Sequence, residues 1–142
     1  MFIGEYQHAL DDKGRLVLPV KFRADLAHGC VVTKGQEGCL YVLPLEQWEA
    51  MASEVSALPL TDKRGRTWGR VFFGSSEELT LDRQGRVAIP GALRQWAGLD
   101  KEVAVVGVNT RIELWEPEAW AAYLADGEDE YVHTEERIGE TL

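Results

Sequence analysis

The feature that most constrains this chain is a stretch that occurs twice. Leu10-Asp11-Asp12-Lys13-Gly14-Arg15-Leu16-Val17-Leu18-Pro19 returns as Leu81-Asp82-Arg83-Gln84-Gly85-Arg86-Val87-Ala88-Ile89-Pro90. Asp, Gly, Arg and Pro hold the same relative positions, and the match runs on to Phe22-Arg23 and Leu93-Arg94. A duplicated unit means that one supersecondary element, used twice, sets the fold.

Each position in the unit has a local physical reason. Asp11 and Asp82 close apolar-alternating runs, and their carboxylates can accept backbone N–H groups in a turn. Gly14 and Gly85 can take the positive φ that a tight hairpin needs. Beyond the turn, Leu16 and Leu18 fall on one face and Arg15 and Val17 on the other, as do Val87 and Ile89 against Arg86 and Ala88. Pro19 and Pro90 lack an N–H, so they end the ladder and suit the first turn of a helix.

The flanking pattern predicts strands over 2–10, 15–18, 30–33, 39–43, 77–81, 86–89, 103–108 and 111–115. It predicts helices over 19–26, 44–55, 62–73, 90–97 and 117–124, with Asp62 as an N-cap and a flexible acidic tail from Asp126. Trp120 stands where the first copy has Trp48. Each unit is about 45 residues, close to the size at which one core stops sufficing. The two units are therefore expected to close one barrel, leaving no exposed edge.

Net charge is −9, which argues against a nucleic-acid partner until its distribution is read. From Glu113 onward there are ten acids and one base, Arg137, while residues 1–112 carry 14 of each sign. Bases gather at the two turns and in Lys63-Arg64-Gly65-Arg66 with Arg70. The chain reads as a neutral body with basic patches and an acidic C-terminal segment. No apolar run reaches the roughly 20 residues of a membrane span, and Met1–Tyr6 has no basic, apolar leader pattern. Cys30 and Cys39 are too few for a disulfide framework and read as small core residues, with a redox pair as the alternative. The cytoplasm is the expected compartment.

Catalytic patterns are missing: no nucleophile–base pairing, P-loop, dinucleotide fingerprint or metal spacing stands out, so neither an enzyme nor a cofactor is expected. A two-stranded β-ribbon, by contrast, can enter the DNA major groove, where Arg pairs bidentately with guanine. Arg15 and Arg86 project beside the turns, and Lys13 suits a phosphate. The competing structural reading pairs each Arg with Asp11 or Asp82. For Lys63-Arg64-Gly65-Arg66 a solvated helix face is preferred, with phosphate contact or a subunit-interface salt bridge as the alternatives. His8, which matches Leu79, reads as a packed strand residue. Trp48, Trp68, Trp115 and Trp120 read as core or interface anchors.

Met1-Phe2-x-Gly4-Glu5-Tyr6-x-His8-x-Leu10-Asp11-x-Lys13-Gly14-Arg15, then Pro19-x-x-Phe22-Arg23, with Asp82-x-x-Gly85-Arg86-Val87-x-x-Pro90, resembles the MraZ family, bacterial regulators with two AbrB-type half-motifs. The likeness reaches about Trp120. It implies a mainly β (α+β) fold: a double swapped-hairpin β-barrel with flanking short helices. Half-motifs would lie at residues 5–47 and 76–119, with a helical connector at 48–75 and an acidic tail at 120–142. It also implies a ring-shaped homo-oligomer of about eight subunits. The partner implied is double-stranded DNA: short direct repeats in the promoter of the division and cell-wall gene cluster, including the chain's own gene. The expected output is repression, at the nucleoid. The DNA-binding residues would be Lys13, Gly14, Arg15, Arg83, Gln84 and Arg86. Two other readings stand beside this one: an antitoxin-like AbrB module that also binds a partner protein, and an oligomeric scaffold without a DNA role.

Overall fold

The computed structural model describes residues 1–134. Its strands are β1 (Phe2–Ala9), β2 (Arg15–Val17), β3 (Cys30–Lys34), β4 (Leu40–Pro44), β5 (Glu77–Leu79), β6 (Arg86–Ala88), β7 (Glu102–Asn109) and β8 (Arg111–Trp115). Its helices are α1 (Val20–Arg23), α2 (Leu45–Ser56), α3 (Lys63–Ser75), α4 (Gly91–Trp96) and α5 (Pro117–His133), with a 3₁₀ turn at Ala24–Leu26 extending α1. The fold is mainly β with short flanking helices, as the repeat implied.

The duplication shows as a pseudo-two-fold axis. A six-stranded antiparallel sheet runs β1-β7-β8-β4-β3-β5, which reads the same from either end once each strand is exchanged for its repeat equivalent. The axis passes between β4 and β8 and, in a separate two-stranded ribbon, between β2 and β6. The halves exchange strands: β1 pairs along its whole length with β7 of the second half, and β5 pairs with β3 of the first. Each first strand thus leaves the turn that should have made it a hairpin. Only a single bridge, Leu10 to Leu16, survives between β1 and the strand after its turn.

Alternation along the strands sorts side chains into two cores. The main core lies inside the sheet and gathers Phe2, Val32, Val42, Val103, Val105, Ile112 and Leu114. Leu16, Leu18, Val87 and Ile89 of the ribbon, with Phe22 and Leu93 of α1 and α4, fill the remaining side. Phe22 meets Phe2 and Tyr6 edge-on, at 5.2 and 5.3 Å. The smaller core lies on the outer face, where Tyr41, Leu43, Ala104, Val106 and Trp115 are covered by Trp48, Met51 and Trp120.

Several expectations are corrected. The barrel wall is not hydrogen-bonded all the way round, since β1 and β5 are outer strands of the sheet. The helix predicted to stop at Leu124 runs to His133, so Asp126 to Glu130 are helical. Its start is strongly specified: Glu116 accepts from the amides of Glu118 and Ala119, and Pro117 takes the first turn. The rest of the predicted tail, 135–142, lies outside the described residues. Asp62 caps α3 as expected, accepting from the Arg64 amide at 2.9 Å. Cys30 and Cys39 are buried, free and in different cores, so they form no redox pair. Burial pushes their thiols up to about 11 and about 12. Among the described residues no helix is long and apolar enough to cross a membrane.

Candidate nucleic-acid interface

Both turns are built alike. Asp11 Oδ1 accepts the amides of Lys13 and Arg15 at 2.9 and 2.8 Å, and Asp82 Oδ1 accepts those of Gln84 and Arg86 at 2.9 and 2.9 Å. The second oxygen of each carboxylate takes the Nε of the following arginine, Arg15 at 2.6 Å and Arg86 at 2.7 Å. Gly14 and Gly85 both sit at φ +75°, and their amides donate back to the Asp11 and Asp82 carbonyls at 3.0 Å. A carboxylate receiving two amides and a guanidinium is favoured in its charged form. Asp11 and Asp82 are accordingly held below the usual carboxylate range, first by the backbone bonds from Arg15 and Arg86.

Each arginine thus gives its Nε to the aspartate of its own turn. The Asp–Arg pairing weighed from the sequence is present in both turns and fixes each guanidinium at one nitrogen. One terminal nitrogen of Arg86 also lies 3.9 Å from Asp11 Oδ2, so the two clusters touch across the axis.

The ribbon brings together residues 71 positions apart in the chain. Arg15 pairs with Ala88 and Val17 with Arg86, which puts both arginines on one face at diagonal positions. Such diagonal neighbours lie about 7–8 Å apart. Leu16 and Val87 point the other way and are fully buried, whereas the Arg15 and Arg86 side chains keep 32% and 24% of their exposure. Lys13, Arg83 and Gln84 stand exposed at the tips, and their side chains enter no hydrogen bond or ion pair among the described residues. Gly14 is buried, with its amide given to Asp11 and its carbonyl to the Ile89 amide at 2.9 Å. Its part is to shape the turn.

Sequence reasoning missed two further cations. Arg23 Nε donates to the Leu18 carbonyl at 3.0 Å, and its side chain lies against Gly85 of the other half. Arg94 does the same with Ile89 at 2.9 Å and lies against Gly14. A Cβ on either glycine would press on the opposite arginine and make its side chain shift, and the positive φ already favours glycine there. The signal was present in the repeat, which continues to Arg23 and Arg94, but only the exchange of halves puts each under the other's turn.

The fold and the paired turns define a class: two AbrB-type half-motifs fused in one chain and closed into a common β-body. The particular family follows from comparison with known proteins. The family model described as "MraZ protein, putative antitoxin-like" matches twice, over residues 1–71 and 72–140. "Transcriptional regulator MraZ" of Salinispora tropica is 50% identical over 138 residues, covering 97% of each chain. The protein of the same name from Salinispora arenicola is 49% identical over the same span, and that of Moorella thermoacetica 46%, covering 97% of this chain and 96% of its own. The chain belongs to the MraZ family, whose members carry the name of transcriptional regulators and not of enzymes.

Proposed function

We propose that the chain is a sequence-specific DNA-binding regulator of transcription that reads DNA with its paired turns. The observation that carries this reading is the pair of partly exposed arginines, each fixed through Nε and both on the outer face of one ribbon. Arg15 and Arg86 would read guanine edges in the major groove, and Lys13, Arg83 and Gln84 would touch phosphate or neighbouring bases. The names of the relatives supply the regulatory role.

The finer reading rests on the family likeness. The chain acts as a repressor by occupying short direct repeats in the promoter of the division and cell-wall gene cluster, its own gene included. It does so at the nucleoid, as a ring of about eight subunits. One arginine contact discriminates by only about 1–3 kcal/mol, so a ring spanning spaced repeats raises avidity by about 10²–10⁴.

A gel shift with the DNA upstream of the chain's own gene, at several salt concentrations, tests the reading. The logarithm of the binding constant should fall linearly with log salt, and Arg15→Ala should weaken specific binding by about tenfold to a hundredfold while leaving the native mass unchanged. No binding at low salt would end the DNA reading. An Arg15→Ala variant that lost its assembly would make the arginine structural.

A further inference from the structure

The two halves differ most on the outer face. In the first half, α3 covers the sheet beside α2: the Thr33 hydroxyl donates to the Phe72 carbonyl at 3.2 Å, and Trp48 stacks on Phe72 at 5.9 Å. The Trp48 indole N–H is satisfied there by Ser76 Oγ, just after α3, at 3.1 Å. In the second half the equivalent tryptophan is Trp120, on α5, and among the described residues no helix follows α5 as α3 follows α2. Its indole N–H is buried and has no partner among the described residues. Beside it runs an open groove of about 490 Å³ between β1 and α5, with Glu5, Gln7, Leu124 and Glu128 on its walls. A buried donor left unsatisfied is costly, and each instance calls for an explanation.

The missing cover has a match elsewhere on the same surface. α3 turns Trp68, Val71 and Phe73 to solvent, with Trp68 39% exposed, among the bases Lys63, Arg64 and Arg70 and no acid. α5 is its opposite. It carries Glu118, Asp126, Glu128, Asp129 and Glu130, buries no residue, and leaves Tyr131 82% exposed. A helix end that touches so little is marginal on its own and gains from a partner surface.

We propose that the exposed face of α3 docks into the β1–α5 groove of a second copy of this chain. The contact is head to tail: a basic, aromatic helix of one copy meets the acidic groove of the next. Heterologous contacts of this kind close into rings when the rotation permits. The inference rests on the assembly part of the function proposed above and names the surface that builds it. It gives both the basic run 63–70 and the acids of α5 a place.

The test uses two variants of the full chain. One blocks the helix by removing its contact groups (Trp68→Ala with Arg70→Ala), the other blocks the groove (Leu124→Arg with Glu128→Lys), and neither touches the turns. Circular dichroism and wild-type exchange protection of the turn amides bonded to Asp11 and Asp82 verify folding, and native mass reads assembly. Wild type should be multimeric and loosen as salt rises, and each variant should be monomeric. An equimolar mixture of the two should stop at a dimer, because one intact helix meets one intact groove. Variants that keep the wild-type mass, or a mixture that stays monomeric, overturn the proposed interface while leaving ring formation by another surface intact. A monomeric wild type overturns the assembly itself, and loss of DNA binding in Arg15→Ala is read independently of both.

Discussion

The first half of the chain and the second agree where they meet and differ where they face outward. At the turns they match almost atom for atom: the same aspartate bonds, the same φ at glycine, the same arginine geometry. On the outer face they diverge. β1 has eight residues where β5 has three, α5 has 17 where α2 has 12, and α3 has no counterpart among the described residues of the second half. The lesson is that the axis imposes identity. Each turn supplies the space for the other's arginine, so a change in one is felt in both, while the outer surfaces share no such constraint.

The largest effect that would break this symmetry comes from its centre. Leu16 lies opposite Val87 on the axis, and both are fully buried. Leu16→Ala should cost about 2–5 kcal/mol in a denaturant titration, the range for truncating a fully buried leucine. If the halves are coupled as described, amide exchange should rise at both turns, Gln84 and Arg86 as much as Lys13 and Arg15. A rise at one turn only would mean the ribbon does not transmit.

Next come the arginines themselves. Arg15→Ala and Arg86→Ala should each lower affinity for a specific site by about tenfold to a hundredfold at fixed salt. Equal losses extend the symmetry from structure to function. Unequal losses would trace to the tips, Asp12-Lys13 against Arg83-Gln84, where the copies differ.

Acid gives a smaller effect with a defined sign. The folded values of Asp11 and Asp82 lie below that of an ordinary aspartate, held down first by the backbone amides of Arg15 and Arg86. Their contribution is therefore complete above about pH 4–5 and is lost as pH falls through the lowered folded values. The Lys13, Arg15, Gln84 and Arg86 amides should stay protected at pH 5 and lose protection together in stronger acid. Asp11→Asn, which cannot be charged, should reproduce the loss at neutral pH, with the larger effect in the first turn and a smaller one at Arg86, whose guanidinium Asp11 also faces.

Much of this was legible in the sequence, and the failures have physical causes. The turns were readable because Asp, Gly and Arg act within five residues. The pairing of β1 with β7 was not, because D-x-x-G signals a turn and says nothing about which strand lies alongside. The end of α5 was misplaced because apolar periodicity stops near Leu124, while the helix continues through Gly127 and a run of acids. The fault lay in taking exposure for disorder. Arg23 and Arg94 were seen as part of the repeat and given no role, since their partners lie in the opposite half.

Charge at the tips sharpens the comparison further. Gln84→Lys gives the second turn the ammonium that the first already has. Affinity should rise severalfold for all sequences alike, and the salt slope should steepen by about one unit. A change confined to one operator sequence would instead place residue 84 against a base edge.

The smallest effect separates the halves by sign. Trp48 and Trp120 are repeat equivalents, but among the described residues only Trp48 has an acceptor for its N–H. Trp48→Phe removes one partly buried hydrogen bond and leaves the Ser76 hydroxyl without its donor, which should cost about 1 kcal/mol beyond any change in packing. Trp120→Phe removes a donor that no described residue accepts, so in a monomeric background that cost should vanish or reverse. Measuring both in the helix-blocked variant keeps the groove empty. Equal destabilisation by the two would show that Trp120 finds an acceptor within its own chain, and the outer faces would then be more alike than the strands and helices around them suggest.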